Sequence, residues 1–191
     1  AASRSLALVA RLPASFAVLD LSVSASGVFS IVGQLDPTSS LAGILELLRP
    51  DTFGLRGTRW SSDGSNHASC RLVGRVVSSG SAREPVSATE AQRLFALAET
   101  QAAASGLQSV VIGAYATRPV DEALSLRQID LTGSGSYESL TRFMQSLADR
   151  QGGVRAGHLD VVRSPDTGDN HFTLSLDVVV SSFDVVVREI P

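Results

Sequence analysis

Apolar residues follow two spacings along this chain, and the succession of those spacings occurs twice. Residues 3–12 show helical spacing and stop before Pro13, which predicts a short helix. From Phe16 to Ser24 the pattern alternates: Leu19, Leu21 and Val23 on one side, Asp20, Ser22 and Ser24 on the other. That is a strand with one buried face. The turn Ala25-Ser26-Gly27 leads into a returning strand over 28–33. A helix is predicted from Asp36-Pro37, with Asp36 as N-cap and Pro37 in the first helical position, to about Arg49 before Pro50. Segments 53–60 and 68–77 read as a hairpin around the polar turn 61–66.

Residues 78–86 are small and polar and read as a linker. Then the succession restarts. Ser87 and Glu90 form a capping box for a helix reaching about Ala104. Strands are predicted over 107–117 and 124–132, and a second helix over 137–150, ended by Gly152-Gly153. A final hairpin pairs 158–163 with 171–180 around the turn 164–170. The tail 184–191 either extends the last strand or forms an edge strand of its own.

Two helices carry the clearest copy. Leu41, Ile44, Leu45 and Leu48 recur as Leu140, Phe143, Met144 and Leu147, offset by 99 residues each time. Each helix follows an extended segment ending in glycine, Ile31-Val32-Gly33 and Leu131-Thr132-Gly133. The expected class is α+β: two tandem ferredoxin-like two-layer sandwiches, each α-β-β-α-β-β with an antiparallel sheet in permuted strand order. The expected boundaries are 1–79 and 88–191, with 80–87 as linker.

Composition narrows the function. The chain is 43% hydrophobic and 18% charged over 191 residues, which suits a folded body of one or two small domains. A net charge of −3 supplies no electrostatic pull toward nucleic acid. All 16 basic residues are Arg. The single Cys70 alternates with Ala68 and Leu72 and reads as a small buried residue. No apolar run is long enough to span a bilayer. The chain opens with Ala1, so it is expected to be a soluble portion of a longer protein whose anchor lies upstream.

Chemistry-bearing residues do not assemble into a recognised site. His67, His158 and His171 lack the partners and spacing of a zinc centre, and no metal or cofactor is expected. Asp166-Thr167-Gly168-Asp169-Asn170 resembles a calcium loop but lacks its length and terminal Glu. Gly133-Ser134-Gly135-Ser136 precedes a helix but is read as a helix-entry turn, since the dinucleotide fingerprint is absent. No Gly-x-Ser-x-Gly elbow supports a triad, and no catalytic residue is assigned. Asp160 and Asp177 share a hairpin near Arg155 and Arg163; they are read as solvated charge, with a hydrolytic carboxylate pair as the outside alternative. Trp60, on the same face as Arg56 and Thr58 and opposite Phe53 and Leu55, and Tyr115, opposite Ile112 and Ala114, fall off the expected core face. They are the candidate interface residues.

The run from Ile129 to Ala148, with Gly135-Ser136-Tyr137 leading into Leu140-x-x-Phe143-x-x-x-Leu147, resembles the periplasmic domains of PilO and GspM. Leu159-Asp160-Val161-Val162 and the segment 172–178 are similar to that family's closing hairpin. The first half, through Arg11-Leu12-Pro13, Leu19-Asp20-Leu21-Ser22 and 29–33, is similar to PilN and the GspL periplasmic domain. Those proteins usually carry one such domain after a coiled coil, whereas two lie in tandem here. The resemblance implies a non-enzymatic scaffold of a type II secretion or type IV pilus inner-membrane platform, periplasmic and anchored to the inner membrane. It implies homo- or heterodimers with related platform subunits, and contacts with pilins, pseudopilins or secretin-linking subunits. The alternative is a small-molecule binding module with a ligand site between the tandem domains.

Overall fold

The computed structural model describes residues 2–61, 68–76, 85–113, 115–150 and 154–181. His67, most of the 61–66 and 78–86 segments, Gly152-Gly153 and the 184–191 tail lie outside the described residues. The first half runs α1 (Ala2–Ala10), β1 (Phe16–Val23), β2 (Val28–Leu35), α2 (Leu41–Leu48), a 3-10 turn (Arg49–Asp51), β3 (Thr52–Ser61) and β4 (Ala68–Val76). The second runs α3 (Ala88–Ala104), β5 (Gln108–Ile112), β6 (Ala116–Pro119), β7 (Leu124–Gly135), α4 (Tyr137–Arg150), β8 (Val154–Arg163) and β9 (Asn170–Ser181).

These strands form one nine-stranded sheet in the order β3-β4-β2-β1-β8-β9-β7-β5, with β6 also on β7. All ladders between strands are antiparallel. The expectation of two separate sheets thus meets a single sheet, closed by the pairing of Asp20–Val23 of β1 with Val162–Leu159 of β8. The core is equally continuous: Leu21, Phe29 and Leu72 belong to the same buried cluster as Leu131, Phe143 and Leu174. On the covered face α1 packs against α4, α3 against α4, and α2 over β3. The α1–α4 contact bridges the same seam as the β1–β8 ladder.

The duplicated helix stripe is buried unequally. Leu140, Phe143, Met144 and Leu147 of α4 are all buried, whereas only Ile44 and Leu48 of α2 are fully buried, with Leu41 and Leu45 partly so. Position in the layer explains this. Helix α4 sits between α1 and α3, while α2 covers the end of the sheet.

The strand registers of the two halves carry irregularities at matching places. In β1 an extra residue falls between Val18 and Asp20, beside Gly33; in β5 it falls between Gln108 and Val111, across from Gly133. In β3 it falls between Phe53 and Arg56, and in β8 between Ala156 and His158. Counted from these bulges, Asp20 matches Val111, and Trp60 matches Val162. Gly33 and Gly133 explain their own identity. A Cβ on Gly33 would lie 2.5 Å from the Ala17 carbonyl oxygen and 2.5 Å from the Phe16 ring; one on Gly133 would lie 3.0 Å from the Gln108 oxygen and 2.8 Å from the Phe172 ring.

Three local readings need correction. Helix α2 begins at Leu41, not at Asp36-Pro37. Asp36 accepts a bond from the Ser39 amide in a turn, and Ser40 is the N-cap, its Oγ accepting from the Gly43 amide. The strand expected over 107–117 divides into β5 and β6 around Gly113, whose amide donates to Asp130 O at 2.7 Å. Phe53 shares the uncovered face with Trp60, because the glycine bulge at Gly54 (φ +58) reverses the alternation before Arg56. By contrast Ser87 caps α3 as expected, its Oγ accepting from the Glu90 amide at 3.1 Å, although the Glu90 carboxylate reaches toward Arg93.

The contacts around the paired glycines give an ordered expectation. Gly33→Ala meets backbone at 2.5 Å and should cost about 2–3 kcal/mol, while Gly133→Ala should cost about 1 kcal/mol because the Phe172 ring can shift. Urea unfolding of both variants checks this; equal costs would contradict the packing account.

Candidate interaction surface

Helices cover one face of the sheet and leave the other open. The uncovered face is built from alternate residues: Phe53, Arg56, Thr58 and Trp60 of β3; Arg71, Val73 and Arg75 of β4; Asp20 of β1; His158, Asp160 and Val162 of β8; Asp177 of β9; Asp130 of β7. Charge separates along it. The β3–β4 end carries arginines beside exposed aromatics, and the centre carries aspartates.

The structure places Trp60 and Tyr115 at opposite ends of this sheet and does not bring them together. Trp60 is 43% exposed on edge strand β3, on the face shared with Arg56 and Thr58, as expected. Tyr115 is 60% exposed where β5 gives way to β6 at the other end. Its ring meets Phe95 of α3 at 5.6 Å between centroids, tilted by 55°, so it also caps the rim of the core.

The central aspartates are held by different partners. The Asp130 carboxylate accepts from Ser175 Oγ at 2.6 Å and from Gln128 Nε2 at 3.1 Å. His158 Nε2 and Asp160 Oδ2 are 2.6 Å apart. Asp160 lies opposite Thr173 and Asp177 opposite Arg155, four residues apart on β9, so the two do not converge as an acid–base pair. Burial pushes the Asp20 carboxyl above its ordinary range; Asp160 adds to this and Arg71 opposes it. Burial likewise raises Asp177, against the pull of Arg155. Its carboxylate fills the space above Gly157, where a Cβ would run into Oδ2, and its Oδ1 is buried with no hydrogen-bond partner. Tyr137, whose hydroxyl is also buried, is pushed up to about 12 by burial and then by Asp20.

The remaining candidates resolve into structural roles. Cys70 is fully buried, and burial raises its thiol. Residues 164–169 form a turn in which Ser164 donates its amide to Asp169 O at 2.7 Å and Gly168 donates to Ser164 O at 3.0 Å. Among the described residues no three His, Cys, Asp or Glu side chains gather as a metal site. Ser136 caps α4, its Oγ accepting from the Ser139 amide at 3.0 Å. A Cβ at Gly135 would lie 2.8 Å from Leu107 Cδ2, so the end of that side chain would have to shift. An open concavity of about 380 Å³ lies between β5, β7, β8 and β9, lined by Ser109, Thr132, Ser134, Asp160, His171 and Thr173. Its lining residues all come from the second half, and two of them, Asp160 and Val162, also stand on β8 where it pairs with β1. The bulges that set which residues face outward are the feature that sequence reasoning missed. Gly54 and Gly157 are the local signal of those in β3 and β8.

The chain matches no protein-family model, no curated protein and no solved structure. Among the described residues no helix is long and apolar enough to cross a membrane.

The raised carboxylates fix a pH dependence. In the folded state Asp20 and Asp177 hold protons more tightly than in the unfolded chain, whose ordinary value is 3.8. Their contribution therefore favours folding at low pH and is lost as pH climbs from that value through the raised one. Asp177→Asn should remove its share of this loss, so that its stability relative to the unmodified protein rises as pH climbs from 3.8 through the raised value. Chemical denaturation across that range tests it; a constant difference would contradict it.

Proposed function

We propose that the chain is a tandem of two ferredoxin-like units in permuted strand order, 1–79 and 88–191, acting as a non-enzymatic scaffold through protein–protein contacts. The observation that carries this is the repetition of strand order and bulge position in both halves. β3-β4-β2-β1 in the first corresponds to β8-β9-β7-β5 in the second. In this reading the apolar faces are consumed in holding helices to sheet. What remains for partners is the open face and the two sheet edges.

Resemblance of 129–148 and of the closing hairpin to PilO and GspM, and of the first half to PilN and GspL, gives the scaffold its setting. It would be part of a type II secretion or type IV pilus inner-membrane platform, periplasmic, with an anchor outside this chain. Partners would be related platform subunits, with pilins, pseudopilins or secretin-linking subunits beyond them. Immobilised chain should capture a related platform subunit, and Trp60→Ala should weaken that capture by about 10-fold. Undiminished capture would remove Trp60 from the interface; capture of none of these subunits would count against the platform.

The hydroxyl-lined concavity between β5 and β9 favours a second reading, a small-molecule binding module. A thermal-shift screen of small polar ligands separates the two. Stabilisation abolished by His171→Ala would support the module, and an unmoved melting temperature would leave the scaffold reading alone.

A further inference from the structure

The seam inside the molecule is a heterologous contact. β1 of the first half pairs with β8 of the second, and these strands occupy different places in the repeated order. Two matching strands have no such neighbour among the described residues: β3, which occupies the place of β8, and β5, which occupies the place of β1. We propose that β5 of one molecule pairs with β3 of a second copy of this chain, in the register that joins β1 to β8, so that copies assemble head to tail. This deepens the scaffold reading and rests on it for the use of sheet edges.

The register can be written residue by residue. Within the molecule Asp20 faces Val162, Leu21 faces Val161 and Ser22 faces Asp160. Counted from the shared bulges, Asp20 to Ser22 correspond to Val111 to Gly113, and Val162 to Asp160 correspond to Trp60 to Thr58. The same ladder between copies sets Val111 against Trp60, Ile112 against Arg59 and Gly113 against Thr58. Val111 is 61% exposed and Trp60 43%, two large apolar side chains on the uncovered face that would cover one another across the strands.

Two further observations fit. Six of the nine large apolar residues exposed among the described ones lie on or beside the two free ends: Leu47, Phe53 and Trp60 at one, Val111, Tyr115 and Val120 at the other. The helix layer also has a matching pair. α1 packs on α4 over the internal seam, and the corresponding pair between copies is α3 on α2, the helix that exposes Leu47. A contact joining two different surfaces repeats without limit unless its rotation closes a ring.

Sedimentation velocity of the full chain, from micromolar to near-millimolar, tests this. The average mass should rise steadily past twice that of the monomer. Val111→Glu spoils one edge and Trp60→Glu the other, and each protein alone should stay monomeric with an unchanged circular-dichroism spectrum. Their mixture should form a dimer and stop there, because one intact β3 meets one intact β5 and the outer edges are spoiled. A variant that loses its fold is replaced by Val111→Thr or Trp60→Gln, for which weakened assembly with a native spectrum is required. A monomer at every concentration overturns the proposal but leaves the scaffold reading standing, since that is judged by capture of a different subunit. A dimer that saturates and ignores both substitutions also overturns it, and points to the open face as the contact.

Discussion

Everything else in this molecule depends on the pairing of β1 with β8. Four register pairs join two short stacks of strands into one sheet, and side chains at that seam, Leu21, Val23, Leu159 and Val161, are fully or almost fully buried. Burying each contributes about 1.5–3 kcal/mol, against about 1 kcal/mol net for a backbone hydrogen bond. Apolar burial therefore outweighs the ladder in holding the seam, while the ladder sets its register. Two more ties cross it. Helix α1 lies on α4, and Arg155 Nη2 donates to Ala25 O at 2.7 Å in the β1–β2 turn. Neither half alone could bury as large a fraction of its surface, because small bodies expose more of theirs.

The glycines and bulges show where the backbone is under tightest constraint. Gly33 and Gly133 sit beneath aromatic rings and against a neighbouring carbonyl, so a side chain at either place displaces strand or ring. Opposite Gly133, Ser109 takes a left-handed φ of 51°, an uncommon state for a residue with a Cβ. On the other hairpins Gly54 and Gly157 lie at the bulges, where Gly157 makes room for the Asp177 carboxylate. These irregularities decide which side chains reach the open face. Through them, they also decide which residues could meet a partner.

Much of this was legible in the pattern of apolar residues. Alternation in β4 and β9 and the helical stripes of α2 and α4 identify the elements and the covered face, and Cys70 is buried beside Leu72 as its alternation implies; in β1 the bulge leaves Leu19 half-buried and puts Phe16 and Val18 in the core with Leu21 and Val23. The start of α2 was misread because Asp-Pro signals a turn as readily as an N-cap, and Ser40 is the better cap once Asp36 is engaged. The break between β5 and β6, and the exposure of Phe53, arise from inserted residues that leave no periodic trace. The seam was not legible at all, since β1 and β8 are 131 residues or more apart and nothing local in either encodes the other. Trp60 and Tyr115 were recognisable as outward-facing aromatics, yet only the strand order shows them at opposite ends.

Amide hydrogen exchange on the full chain tests the seam most directly. The account expects the β1 amides that face β8, within Asp20–Val23, and those of β8 that face β1, within Leu159–Val162, to exchange as slowly as amides in the β2–β4 ladder. Exchange at those positions as fast as on the outer side of β3 would contradict it, showing two sheets that merely lie side by side.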